Sequence, residues 1–214
     1  NNDNARLDEF CQVLSKFTLR ASFIGLQNRN EKFYEHIRNK KDFFNLFNEI
    51  IDDNWWNINV RVEETLLFEN YYDWISKNIV KYILFMYENY LRERKGHPLL
   101  TRLNYFDQNT RTKFNIEHIS SKKSNLNFSD KFKSGLLHSI GNLVIDSTAP
   151  NSSKGNKGVD KKLISYISAP LMSQNELNNN INWKSKKNIT EFIKTREKKM
   201  QDFIRTHLLG LDNA

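Results

Sequence analysis

The spacing of apolar residues changes once along this chain, and that change limits the folds open to it. Up to about residue 98 the spacing is helical. Leu7, Phe10, Cys11, Leu14 and Phe17 share one face, and Phe33, Ile37, Phe43, Phe44, Phe47, Ile50 and Ile51 continue the pattern in two further helices. Trp55, Trp56 and Ile58 suit an interhelical joint, and 60–68 reads as a short helix. A long helix is expected over 74–94, with Ile75, Ile79, Ile83, Tyr87 and Leu91 on its apolar face and Gly96-His97-Pro98 as its stop. At Lys113-Phe114-Asn115-Ile116-Glu117-His118-Ile119 the period falls to two, as in a strand. A second strand is expected over 140–145, which is rich in β-branched residues. Short helices are expected over 128–138 and 159–168, and a basic amphipathic helix over 184–209. The pattern therefore predicts a mainly α chain, divided into a helical region, 1–98, and a mixed region, 99–214.

Composition narrows the classes further. Seven Gly and three Pro are too few for an all-β domain of tight turns. The single Cys, Cys11, excludes a disulfide framework and a Cys-rich zinc module and points to a reducing compartment, the cytoplasm. No run approaches the ~18 apolar residues of a membrane span, so no membrane association is expected. The first residue is Asn rather than Met, which suggests a piece of a longer chain. A formal net charge of +8 biases the chain toward polyanions, nucleic acid first.

The residues that suggest chemistry fall in the mixed region. An acid and a His, Glu117-His118, close the alternating strand. Gly141-Asn142-Leu143-Val144-Ile145 forms the second strand, and Asn151 and Gly155-Asn156-Lys157 precede a helix carrying Lys162. About one residue in seven is Asn, so Asn142 or Asn151 alone carries little weight; the ordered string carries more. This string, over 114–162, resembles the ββα-metal (His-Me finger, HNH) nuclease motif. It is most similar to the C-terminal nuclease domain of GmrSD-type modification-dependent restriction enzymes. The helical segment with Phe17-Thr18-Leu19-Arg20 and Ile24-Gly25 also resembles the region that precedes that nuclease. Relatives often have Pro two residues after the His-Ile pair, where this chain has Ser120-Ser121.

The resemblance implies a helical domain plus a small ββα-metal core embedded in helices, and a metal-dependent DNA endonuclease of a bacterial restriction or anti-phage system. His118 corresponds to the general base and Asn142 to the residue that orients it. Glu117, on the other face of the strand, and Asn151 correspond to metal ligands. Such oxygen ligands favour Mg²⁺ or Mn²⁺, while a nearby imidazole would tolerate Zn²⁺ or Ni²⁺. His138, Asn156 and Lys162 are supporting candidates: His138 as a hydrogen bonder or ligand, Asn156 as a brace of the loop backbone, and Lys162 as a phosphate contact or a solvated charge. In that family a ParB-like nucleotide-binding sensor domain, not found in this chain, precedes the nuclease. The rival expectation is a catalytically inactive helical scaffold that binds DNA or another partner; an RNA-directed nuclease is a third. The chain has no Gly-rich phosphate loop and no Ser-His-Asp order.

Overall fold

The computed structural model describes residues 2–27, 54–109, 112–121, 127–147, 157–177 and 180–211, with 34–35, 38–39, 46, 49, 52 and 154. Most of the stretch 33–51, where two helices are expected, lies outside the described residues, as do Asn151 and Asn156. Contacts divide the chain into two compact units, 1–68 with 205–214, and 69–204. The change of apolar spacing near residue 98 falls within the second unit.

The first unit holds α1 (Asn2–Phe23) and α2 (Ile58–Leu66). Phe17, Ala21, Leu46 and Ile58 form its buried cluster, and Trp55 and Trp56 pack against it, as the joint reading expects. Arg20 is buried; it donates to the carbonyls of Leu209 and Gly210 and to Asn59 Oδ1, which fixes the returning C-terminal segment to α1.

The second unit runs through α3 (Tyr71–Trp74), α4 (Lys77–Arg94), α5 (Arg102–Phe106), β1 (Phe114–His118) and α6 (Asp130–Ser134). It continues through β2 (Leu143–Ser147), α7 (Val159–Ile167), α8 (Met172–Asn175) and α9 (Lys186–Phe203). The helix expected over 74–94 starts three residues late because Ile75 is extended, at φ −103° and ψ 143°. Upstream, Asn70 caps the separate turn α3 by accepting from the Asp73 amide. The last helix ends at Phe203 and passes into a π turn, Ile204–Leu208.

β1 and β2 are antiparallel, with His118 opposite Leu143, Glu117 opposite Val144 and Asn115 opposite Asp146. Cross-strand partners share a face, so the hairpin has two distinct sides. Phe114, Ile116, His118, Leu143 and Ile145 face one way; Asn115, Glu117, Val144 and Asp146 face the other. α4 packs on the hairpin, with Phe85 meeting Phe114 at 6.3 Å between ring centres. The main core gathers Ile119, Phe132, Val144, Val159, Tyr166, Trp183, Ile189 and Ile193. α4 also packs on α9: the Phe203 ring lies 5.2 Å from Tyr87 and 5.1 Å from Tyr90. The buried acid of α4, Glu88, accepts from the amides of Met172 and Ser173 and pairs with Arg92, which satisfies the start of α8. Among the described residues the fold is therefore mainly helical, with one small two-stranded sheet embedded in helices.

The second strand begins at Leu143 rather than 140 because Ile140–Asn142 is a 3₁₀ turn pressed against α9. A Cβ on Gly141 would lie 2.2 Å from the Ile193 carbonyl oxygen and 2.7 Å from the Glu197 nitrogen, so only Gly fits. Arg196 is buried and donates through Nη1 to the carbonyls of Ile140, Gly141 and Leu143. The last helix thus sets the backbone that presents Asn142.

Candidate active site

His118 is the last residue of β1, half-buried on the α4 side of the hairpin. The peptide that follows it is clamped by Asn142. Asn142 Oδ1 accepts from the Ser120 amide at 2.8 Å, while Nδ2 donates to the Ser120 carbonyl at 3.0 Å and the Leu137 carbonyl at 2.7 Å. The Ile119 amide donates to the Asn142 carbonyl at 2.9 Å. Asn142 is fully buried, so these partners replace the water it would otherwise need. Its place fits a residue that orients the strand end rather than one that meets a substrate.

The imidazole of His118 lies among aromatic rings. Tyr72, from α3, meets it edge-on at 4.7 Å between centres, and the His138 ring meets it edge-on at 5.3 Å. His138 itself stacks on Tyr72 at 5.6 Å, and its Nδ1 lies 3.9 Å from a carboxylate oxygen of Asp73. Of the supporting candidates, His138 thus stands beside His118. Tyr72 and Asp73 escaped sequence reasoning: both precede the motif by more than forty residues, and only tertiary packing brings them to it.

On the opposite face Glu117 is buried in an ion pair. Lys162 Nζ lies 2.5 Å from Glu117 Oε1 and also donates to the His118 carbonyl at 3.1 Å; the Tyr166 hydroxyl donates to the same Glu117 oxygen at 3.2 Å. Burial pushes the Glu117 carboxyl above its usual range, against the pull of Lys162 and Tyr166. Lys162 is itself 1% exposed, so it is neither a solvated charge nor a surface phosphate contact here. The spacing of Val159, Lys162 and Tyr166 along α7 carried the signal, since it puts the lysine on the buried stripe. A second buried pair stands behind it: Lys154 binds Asp146 at 2.6 Å and Gln174 at 3.2 Å, with its ammonium 4.4 Å from the Tyr166 ring centre.

Among the described residues, no group of three or more His, Cys, Asp or Glu side chains converges as a cation site. Glu117, the expected carboxylate ligand among them, already carries an ammonium and a phenol on one oxygen. The described residues therefore do not by themselves make up a donor set for a divalent cation.

The model of one protein family matches residues 56–202, well over half of the chain: the GmrSD restriction endonucleases, C-terminal domain. The chain belongs to this family. The match spans the hairpin, His118, His138 and nearly all of α9, so the clamped strand end lies within a restriction-endonuclease C-terminal domain. Comparison with curated proteins and with solved structures gives no match.

Proposed function

We propose that this GmrSD-type domain cleaves DNA phosphodiester bonds, with His118 as the general base that takes a proton from the attacking water. The reading rests above all on the Asn142 clamp, which fixes the backbone beside His118 in the manner a positioned base requires. Lys162 holds the His118 carbonyl from the other side, and the rings of Tyr72 and His138 restrict the imidazole. A base so placed contributes about 10²–10⁴-fold. The resemblance implies a divalent cation, Mg²⁺ before Mn²⁺, Zn²⁺ or Ni²⁺, with Asn151 and Glu117 as ligands. Such a cation would relieve charge on the phosphate. In this reading the domain serves bacterial restriction or anti-phage defence in the cytoplasm, and a ParB-like sensor domain chooses the DNA.

The rival scaffold reading draws on the Glu117–Lys162 pair, which leaves the expected ligand neutralised. One assay separates the two. Plasmid cleavage is measured for the wild type and His118→Ala, without metal and with Mg²⁺, Mn²⁺, Zn²⁺ or Ni²⁺ in turn. The nuclease reading expects cleavage by the wild type and at least a ~10²-fold loss in the variant, with folding and DNA affinity kept. A variant retaining more than about a tenth of wild-type activity removes His118 from the general-base role. No cleavage by the wild type with any of the four cations favours the scaffold.

A further inference from the structure

We propose that a lysine-lined cleft beside His118 seats the phosphodiester backbone of the DNA strand next to the bond being cut. The proposal rests on the nuclease reading above and adds the surface that holds the substrate.

The cleft has a volume of about 420 Å³ and lies along α4, β1 and the segment before β1. Lys77, Lys81 and Lys113 line it, with Tyr72, Asn115 and Asp107 among the remaining walls. Lys77 and Lys81 stand four residues apart on α4, so they share one helix face, where like charges repel. Lys81 is further disfavoured as a cation: burial, then the charge of Lys113, pushes its ammonium below the usual lysine range. Lys81 Nζ donates to the Tyr105 carbonyl at 3.3 Å and Lys77 lies over the Tyr72 ring, but neither contact neutralises an ammonium, so three positive charges around one hollow favour an anion. The lone acid among the lining residues, Asp107, is turned to its own loop. Its carboxylate accepts from the Thr112 hydroxyl at 2.5 Å and the Asn109 amide at 2.8 Å, which hold it below the usual carboxylate range.

The cleft joins the candidate base through Tyr72. Lys77 Nζ sits 3.6 Å from the centre of the Tyr72 ring, and that ring touches His118. A phosphate among the lysines would thus lie within one side chain of the imidazole. The same contacts say which part of a nucleic acid fits. Lys77 covers the Tyr72 ring and His138 stacks on it, so no base can stack there. Lysines without an open aromatic platform hold phosphates and leave the bases unread. The cleft therefore fits a phosphodiester backbone bound with little regard to sequence, and the nuclease reading makes that backbone DNA.

The test uses the full chain carrying His118→Ala, so that binding is read without cleavage. Dissociation constants for labelled duplexes of three unrelated sequences, and for an RNA duplex, are measured from 50 to 200 mM salt. They are compared with those of the triple variant Lys77→Gln/Lys81→Gln/Lys113→Gln and of a control, Lys187→Gln, on an exposed helix face. The triple variant should weaken all three DNA duplexes by about tenfold or more. It should also flatten the slope of log K against log salt by about 2–3, while the control changes neither. Thermal melts check folding, and the charge-preserving Lys→Arg triple should bind as the parent does. A triple variant that folds and binds within twofold of its parent overturns the cleft and leaves the nuclease reading standing. RNA held more tightly than DNA overturns the assignment to DNA. A parent that binds no duplex, with a wild type that cuts none, overturns both readings together.

Discussion

Asn142 and Lys162 show how single side chains brace the end of β1. Replacing Asn142 by Ala would strand the Ser120 amide and two carbonyls around a fully buried position. Each buried group left unmade costs about 1–3 kcal/mol. Asn142→Ala should therefore lose at least ~2 kcal/mol in urea unfolding, and should lower cleavage more than that loss of folded protein explains. Lys162→Met would leave the Glu117 carboxylate buried without its ammonium, a change worth about 3–5 kcal/mol. The double variant Glu117→Gln/Lys162→Met should recover most of that loss, because no charge is then left uncompensated. A double-mutant cycle with no coupling between the two would mean that the ion pair does not hold the hairpin to α7.

At the scale of elements, α9 governs the turn that carries Asn142. Gly141→Ala should be strongly destabilising, since its Cβ would strike the backbone of α9 rather than a movable side chain. The same helix carries a group that titrates near neutrality. Burial, with the Glu69 carboxylate adding to it, pushes the Glu197 carboxyl from 4.5 to about 7. The folded state then holds this proton more tightly than the unfolded chain does. Stability should fall as pH rises from about 4.5 through about 7, and level off above it. Glu197→Gln should remove that part of the pH dependence, as seen in melts from pH 5 to 8. An unchanged slope would show that Glu197 is not the group responsible.

For the whole molecule, the second unit predicts what truncation does. A fragment of residues 99–214 lacks α4, which covers the Phe114 side of the hairpin and packs on Phe203 through Tyr87 and Tyr90. Each large apolar side chain exposed by that loss costs about 1.5–3 kcal/mol, against a typical total stability of about 5–15 kcal/mol. The fragment should be insoluble or lack a cooperative melt. A soluble fragment as active as the full chain would show that α4 is dispensable to the fold and to catalysis. The net charge of +8 makes a prediction at the same scale. If about four phosphates are neutralised, DNA affinity should drop by about two orders of magnitude between 50 and 200 mM salt. A flat dependence would mean that the lysines are not the DNA surface.

Local periodicity determined much of the second unit by itself. The alternation over 113–119 set β1 and put Glu117 and His118 on opposite faces, because side chains in a strand alternate whatever surrounds them. The ordered string of Glu117-His118, Gly141-Asn142, Asn151, Gly155-Asn156-Lys157 and Lys162 likewise marked the family. What sequence could not carry were choices made by elements distant along the chain. The break at Ile75 falls at the start of a run with unbroken helical spacing, where nothing in that spacing marks it, yet it frees α3 to place Tyr72 on His118. The late start of β2 comes from the close approach of α9 to Gly141, fifty residues away. The spacing of Val159, Lys162 and Tyr166 puts Lys162 on the buried stripe of α7, but only the packing of α7 on the hairpin brings it to Glu117, which is also buried, and pairing costs less than leaving either charge alone. Periodicity is a property of neighbours in the chain, whereas desolvation and close packing are properties of neighbours in space. For that reason the elements could be read from the residues, while the partners of His118, Glu117 and Lys162 were decided by the tertiary structure.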